Sequence, residues 1–116
     1  MKEKLSLKPI PLSLRENKRY IVFELISKER FNFRNVRSEL NRILFDLFGE
    51  KGVSELSFNF ILFNEKNSKG IIRCRHTETE KAKTAILFLK EINSIKAIPK
   101  IVRASGSIKK AKSFVQ

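Results

Sequence analysis

The sequence predicts a single α/β domain of order βαββαβ, a four-stranded antiparallel sheet with both helices on one face. Three observations predict it. Two stretches with helical period, 33–48 and 77–92, are interleaved with stretches rich in strand formers at 19–27, 53–63, 70–76 and 97–105. The chain has 116 residues, enough for one sheet-plus-helix core. Its hydrophobic fraction of 41% is that of a folded chain and not of a disordered tail.

Residues 1–12 carry Lys2, Lys4, Lys8, Pro9 and Pro11 and read as an extended basic arm. Ser13-Leu14-Arg15-Glu16 has the spacing of a capping box and opens a short turn. Arg19-Tyr-Ile-Val-Phe-Glu-Leu-Ile-Ser27 is strand one. Phe33, Val36, Leu40, Ile43, Leu44 and Leu47 then share one helical face, with Asn32 as N-cap and Gly49 as stop. Gly49 to Gly52 is the turn into strand two at 53–63, where Leu56, Phe58, Phe60 and Leu62 alternate with polar residues. Asn64–Gly70 is a polar turn, and strand three closes the hairpin at His76. Thr77-Glu-Thr-Glu80 is a second capping box, opening a helix with Ala82, Ala85, Ile86, Leu89 and Ile92 on one face. Ala97–Ser105 is strand four, with Pro99 suited to a sheet edge. Ser107 caps a last short helix through a Lys cluster.

This is the ferredoxin-like, or RNA-recognition-motif-like, sandwich, with a core at 13–106 and a basic C-terminal helix or tail at 107–116. Strict alternation divides the strand residues between two faces. The face turned to the helices receives Ile21, Phe23, Leu25, Leu56, Phe58, Phe60, Leu62, Ile72, Cys74, Val102 and Ala104. The other receives Tyr20, Val22, Glu24, Ser57, Asn59, Ile61, Phe63, Ile71, Arg73, Arg75, Ile101 and Arg103. Most polar strand residues, three Arg among them, fall on the second face.

The net charge is +13, and its distribution matters more than its size. Residues 1–19 carry six basic and two acidic groups, and residues 96–116 carry six basic and none acidic. A nearly neutral core therefore has basic ends, which points to a polyanion. A membrane surface fits poorly, because 107–116 has little apolar face. The single cysteine permits no internal disulfide and suits a reducing compartment. No apolar run reaches the roughly 18 residues of a membrane span, so a cytoplasmic location is expected.

Catalytic signatures are missing from the sequence, so no catalytic residue and no metal site are assigned. Cys74 and His76 could share a strand face, but two ligands do not complete a zinc site. The fold also hosts acyl-phosphate hydrolysis, which needs a Gly-rich anion loop after strand one. Lys28-Glu-Arg-Phe-Asn32 has no Gly, although Arg30 and Asn59 are the residue types required. Strand three lacks the aromatics that stack bases in RNA-recognition motifs, so Arg73, Arg75 and Arg103 suit phosphates better than bases. The expected RNA contacts are Arg15, Lys18, Arg19, Arg73, Arg75, Arg103, Lys109, Lys110 and Lys112. Phe45 and Leu87 lie off the apolar helix stripes, and with Phe48 and Phe88 beside them they form an expected partner surface.

Four segments carry a family resemblance: Leu14-Arg-Glu-Asn-Lys-Arg-Tyr-Ile21, Phe48-Gly-Glu-Lys-Gly52, Gly70-Ile-Ile-Arg-Cys74 and Ser105-Gly-Ser-Ile-Lys-Lys110. In that order and spacing the chain resembles the archaeal ribonuclease P protein component 2 family over about residues 11–114. The resemblance implies a non-catalytic subunit of an enzyme that removes the 5′ leader of precursor tRNA. It implies that a catalytic RNA does the chemistry with Mg²⁺, so this chain binds no cofactor. It also implies a pairing with ribonuclease P protein component 3, in a heterotetramer of two copies each. Two other readings of the residues stay open: a ribosome- or mRNA-associated RNA-binding protein of the same fold, and a protein-interaction scaffold.

Overall fold

A computed structural model describes residues 17–116. The basic arm, the capping box at 13–16 and Arg15 lie outside the described residues. The elements are β1 (Lys18–Ile26), α1 (Phe33–Leu56), β2 (Asn59–Asn64), β3 (Lys69–Arg75), α2 (Thr79–Leu87), β4 (Glu91–Ile92), β5 (Ile95–Lys96), β6 (Ile98–Ser105) and α3 (Ile108–Ser113). The main sheet has the order β2-β3-β1-β6, and β1 runs antiparallel to both neighbours. This is the split β-α-β arrangement that the sequence predicts, with β6 in the place of the fourth strand. Among the described residues no helix is long and apolar enough to cross a membrane.

The main core lies between the sheet and α1 and α2. Ile21, Phe23, Leu25 and Ile72 meet Val36, Leu40, Leu44, Ala85 and Ile86 there, all of them buried. Phe60 is the hub of an aromatic cluster, edge-on to Phe33 at 4.9 Å and to Phe23 at 5.8 Å between centroids. Gly70 leaves room for it. A methyl group there would stand 2.8 Å from Phe23 Cζ and 3.0 Å from Phe63 Cδ1, closer than packed atoms tolerate.

Helix α1 starts where Asn32 Oδ1 accepts from Asn35 N at 2.8 Å and Glu65 Oε2 accepts from Phe33 N at 2.9 Å. These bonds satisfy amides that have no partner within the helix. Gly49 breaks it, with φ 71° and ψ 176°, a conformation that favours glycine. The chain does not then turn straight into a strand. It resumes helical geometry to Leu56, because Leu56 buries completely and Val53 partly against the main core. Ser57 ends the helix in the left-handed region at φ 51°. Strand two therefore begins at Asn59 and not at residue 53, and Leu56 and Phe58 are not strand residues.

The face assignment changes in two strands for one reason. Phe60 and Leu62 pair with the adjacent residues Ile72 and Ile71, which leaves Ile61 as an extra residue. Phe23 and Val22 pair with Ile101 and Arg103, which leaves Val102 extra. Each bulge reverses the alternation beyond it. Phe63 and Ile101 consequently join the helix-side core, and Leu62 and Val102 move to the other face. Ala104 keeps its place opposite Ile21, but it is exposed on the edge strand.

The second helix is shorter than its periodicity suggests. His76–Glu78 forms a 3-10 turn, with Thr79 Oγ1 donating to His76 O at 2.8 Å, and no side-chain cap forms at Glu78. After Leu87 the chain makes a small hairpin, β4–β5. Its turn residues Asn93 and Ser94 both have positive φ, 52° and 68°. Leu89 and Ile92 still bury, but they do so from outside the helix.

The sheet face turned away from α1 and α2 is partly covered. Helix α3 lies across it, with Ala111 and Val115 buried on Val22 and Ile71 to form a second small core. Ser107 Oγ accepts from Lys110 N at 3.3 Å, the expected cap. At the far end Val115 O accepts from Asn64 Nδ2 at 3.1 Å and Asn67 Nδ2 at 2.5 Å. A helix of six residues does not persist alone in water, so this docking is what holds it.

Candidate nucleic-acid interface

The antiparallel pairing of β1 and β6 sets the start of one beside the end of the other. Tyr20 sits between Ser105 on β6 and Arg73 on β3, and Arg73 is followed by Asn59 on β2. One step outward, Lys18 faces Arg75; one pair inward, Val22 lies between Ile71 and Arg103. Arg19 approaches the loop into α3, where a methyl on Gly106 would stand 3.3 Å from Arg19 Nη1. Lys18, Arg19, Arg73 and Arg75 thus gather at one end of the sheet, and α3 carries exposed Lys109, Lys110 and Lys112 from there across the face toward the β2–β3 turn, where Lys112 lies near Asn64.

Several of these cations also meet neutral groups. Arg103 stacks on the Phe114 ring, 5.0 Å from its centroid. Arg75 Nη2 donates to Ser57 Oγ at 3.2 Å, and Arg19 Nη1 donates to Lys18 O at 3.3 Å. Arg73 Nε is buried with no hydrogen-bond partner among the described residues. Glu24 does not neutralise the group. It faces Lys69 and Lys100, four residues along β1 from Tyr20, roughly 13 Å away at strand rise. The described ion pairs lie instead along the helices: Arg42 with Glu39 and Asp46, Lys81 with Glu78, and Lys83 with Glu80. Glu39 and Asp46 hold the Arg42 guanidinium above its ordinary value.

The sheet face cannot serve as an open platform for a row of bases, since α3 occupies its middle. Cation placement favours the phosphate backbone. Arg15, the remaining expected contact, lies outside the described residues.

Cys74 and His76 do not share a strand face, because the strand stops at Arg75 and His76 enters the 3-10 turn. The His76 ring nitrogen Nδ1 lies 3.2 Å from Asn17 O. The Cys74 thiol is pushed up chiefly by burial, which leaves it a poor nucleophile. Among the described residues no group of three or more His, Cys, Asp or Glu could hold a metal ion. Arg30 and Asn59 sit apart: Arg30 follows the end of β1, while Asn59 is level with its start, roughly 20 Å away along the strand.

Residues 19–116 match the model of the Rpp14/Pop5 family. The chain belongs to the Rpp14/Pop5 family. Its relatives include ribonuclease P protein component 2 of Pyrococcus furiosus, 33% identical over 90% of this chain and 88% of that protein. The protein of the same name from Methanosarcina mazei is 33% identical over 90% and 89%. A chain in the cryo-EM structure of yeast ribonuclease MRP aligns with a TM-score of 0.64, covering 80% of this chain and 76% of that one. At 16% identity that likeness shows the fold alone.

Two segments that carry the resemblance, the approach to β1 and the Ser-Gly-Ser-Ile-Lys-Lys stretch, are neighbours in this Rpp14/Pop5 chain through the Tyr20–Ser105 pair. The expected partner residues do not form one patch. Phe45 is 51% exposed, whereas Phe48 packs partly into the core. Leu87 and Phe88 close α2 beside the β4–β5 hairpin, at the sheet end where α1 begins. Twelve residues of helix, about 18 Å at helical rise, separate Phe33 from Phe45. Sequence reasoning also missed Ile26 and Ile98, 48% and 65% exposed at that same end. Both look like ordinary strand residues, and only their mutual pairing at the ends of β1 and β6 brings them together on the surface.

Proposed function

We propose that this chain is a non-catalytic, RNA-binding protein subunit of ribonuclease P. The observation that carries the reading is the family match over residues 19–116, joined to a basic surface that assembles at one end of the sheet. In this reading the catalytic RNA removes the 5′ leader of precursor tRNA and holds the Mg²⁺ that the reaction needs. Lys18, Arg19, Arg73, Arg75, Arg103, Lys109, Lys110 and Lys112 lie along RNA phosphates, with Arg15 adding to them. Lysines on the outer side of α3 serve as point charges, and the arginines on the sheet are pre-positioned by Ser57 and Phe114. The protein partner is ribonuclease P protein component 3, in an assembly of two copies of each, and the complex works in the cytoplasm.

Reconstitution tests this. The RNA subunit with Mg²⁺ and component 3 is assayed on precursor tRNA with and without this chain. Cleavage at the 5′ leader should be stimulated when it is added, and the chain alone should leave precursor tRNA intact. Specific 5′ cleavage by the purified chain alone would refute the non-catalytic reading.

A further inference from the structure

The end of the sheet where β1 finishes and β6 begins carries exposed apolar side chains among its charges. Ile26 and Ile98 pair at the ends of β1 and β6 and stay 48% and 65% exposed. They border a cleft of about 650 Å³ that Ala97 and Ile95 also line. Leu87 and Phe88, 46% and 49% exposed, end α2 at the same pole. They are tied there because Lys90 N donates to Phe88 O and Lys90 O accepts from Ala97 N at 2.9 Å. Scattered single hydrophobes are ordinary on a surface, but a cluster of large ones at one pole is not.

We propose that this pole is the docking surface for a second protein chain whose contact face has an apolar centre and a rim of carboxylates. Resting on the functional reading above, we identify that chain as component 3. The charge around the apolar residues sets the chemistry of the occupant. Exposed Lys28, Arg30, Lys90, Lys96 and Lys100 surround the site, against Glu29 and Glu91 and the half-buried Glu24 that faces Lys100. Two copies of this chain docked pole to pole would bring like charges together, which is costly. RNA could meet the lysines but would leave the four large side chains uncovered. A partner adding a strand to β6 is disfavoured too, since Pro99 has no amide donor and the bulge at Val102 twists the edge. Side-chain packing with acidic groups around it satisfies both features. The chain then bridges RNA at one pole and protein at the other, and the two contacts are independent.

The test uses the full chain and purified component 3. Affinities are measured by calorimetry for wild type, Ile26→Asp, Ile98→Asp and Ile98→Leu, with RNA binding and melting followed in parallel. Each Asp variant should weaken component 3 binding at least tenfold, Ile98→Leu should keep it, and the RNA salt dependence should not move. Lys96→Glu should weaken it several-fold and make the remaining affinity less sensitive to salt. Unchanged component 3 affinity in both Asp variants would overturn the surface while leaving the functional reading intact. Failure of the wild type to bind component 3 would instead remove the partner assigned above, and this proposal with it. A wild-type homodimer dissolved by Ile98→Asp, or a loss confined to RNA binding, would overturn the proposal in favour of a second copy or of RNA.

Discussion

The two ends of the sheet share β1, β3 and β6, yet they present different surfaces. At one end lie Lys18, Arg19, Arg73, Arg75 and Arg103, with the loop into α3 beside them. At the other, eight residues along β1 and roughly 26 Å away, lie Ile26, Ile98, Leu87 and Phe88. The cations come from segments far apart in sequence, and antiparallel neighbours collect them. The exposed apolar groups come from strand and helix termini, where packing runs out. A surface gathered by pairing should tolerate single changes, since each cation adds one contact among several. An apolar surface built from four side chains should not.

The largest expected effect comes from prising α3 off the sheet. Ala111 is fully buried on Val22 and Ile71. Ala111→Asp places an unpaired carboxylate there, which costs several kcal/mol or so if it stays buried. The helix should leave instead, exposing Val22, Ile71 and Val115. The loss should be about 4–5 kcal/mol in urea unfolding, at the low end of the roughly 1.5–3 kcal/mol for each of these three apolar side chains. RNA affinity should fall with it because the three lysines lose their placement, while component 3 binding holds. If RNA affinity survives, the cationic surface does not include α3.

Next in size is the change that touches charge alone. Replacing Lys109, Lys110 and Lys112 by Ala should flatten the slope of log K against log salt by about two units, at roughly 0.7–0.9 per phosphate released. The melting temperature should stay put, since these side chains are solvated. An unchanged slope would move the RNA contacts onto Arg73, Arg75 and their neighbours on the sheet.

What the sequence made legible follows this division. The strand order, the α1 stripe Val36-Leu40-Ile43-Leu44 and the Ser107 cap were readable, because each rests on local period or a local hydrogen bond. The bulges at Ile61 and Val102 were not readable, because an extra residue in a ladder leaves no mark on alternation until the partner strand is known. The helical turn after Gly49 carries a strand-like pattern, since Leu56, Phe58, Phe60 and Leu62 alternate; burial of Leu56 and Val53 overrides it. Cations at the chain ends were visible as a charge imbalance. That Lys18 faces Arg75 is a consequence of topology. The exposed pair Ile26 and Ile98 carried no signal at all.

A smaller effect is expected where the β2–β3 turn holds the end of α3. Asn67 Nδ2 donates to Val115 O while Asn67 Oδ1 accepts from Lys69 N at 3.2 Å. Asn67→Ala removes both and should cost about 1 kcal/mol, near the net value of one hydrogen bond, because Asn64 still reaches the carbonyl. RNA affinity should drop less than in Ala111→Asp. A loss as large as that variant's would make the turn, and not the Val22–Ile71 patch, the principal anchor of α3.

The smallest effect asks whether burial or the cationic end governs a residue that lies between them. Cys74 faces the main core and is paired with Arg19. Burial raises its thiol pKa most, Thr79 lowers it by hydrogen bonding, Glu78 raises it, and Lys18 and Arg19 lower it. The net direction is upward, so the folded chain keeps the thiol proton to higher pH than the unfolded chain does. Stability from this group is therefore complete below the ordinary thiol range and declines as pH rises through it, by at most about 1.4 kcal/mol per pH unit. Urea unfolding of wild type and Cys74→Ala across pH 7 to 10 reads this out. The difference between the two should be constant at the acid end, and wild type should lose ground to the variant above about pH 9. Should wild type gain on the variant instead, the field of Lys18 and Arg19 outweighs desolvation, and the influence of the cationic end extends into the core.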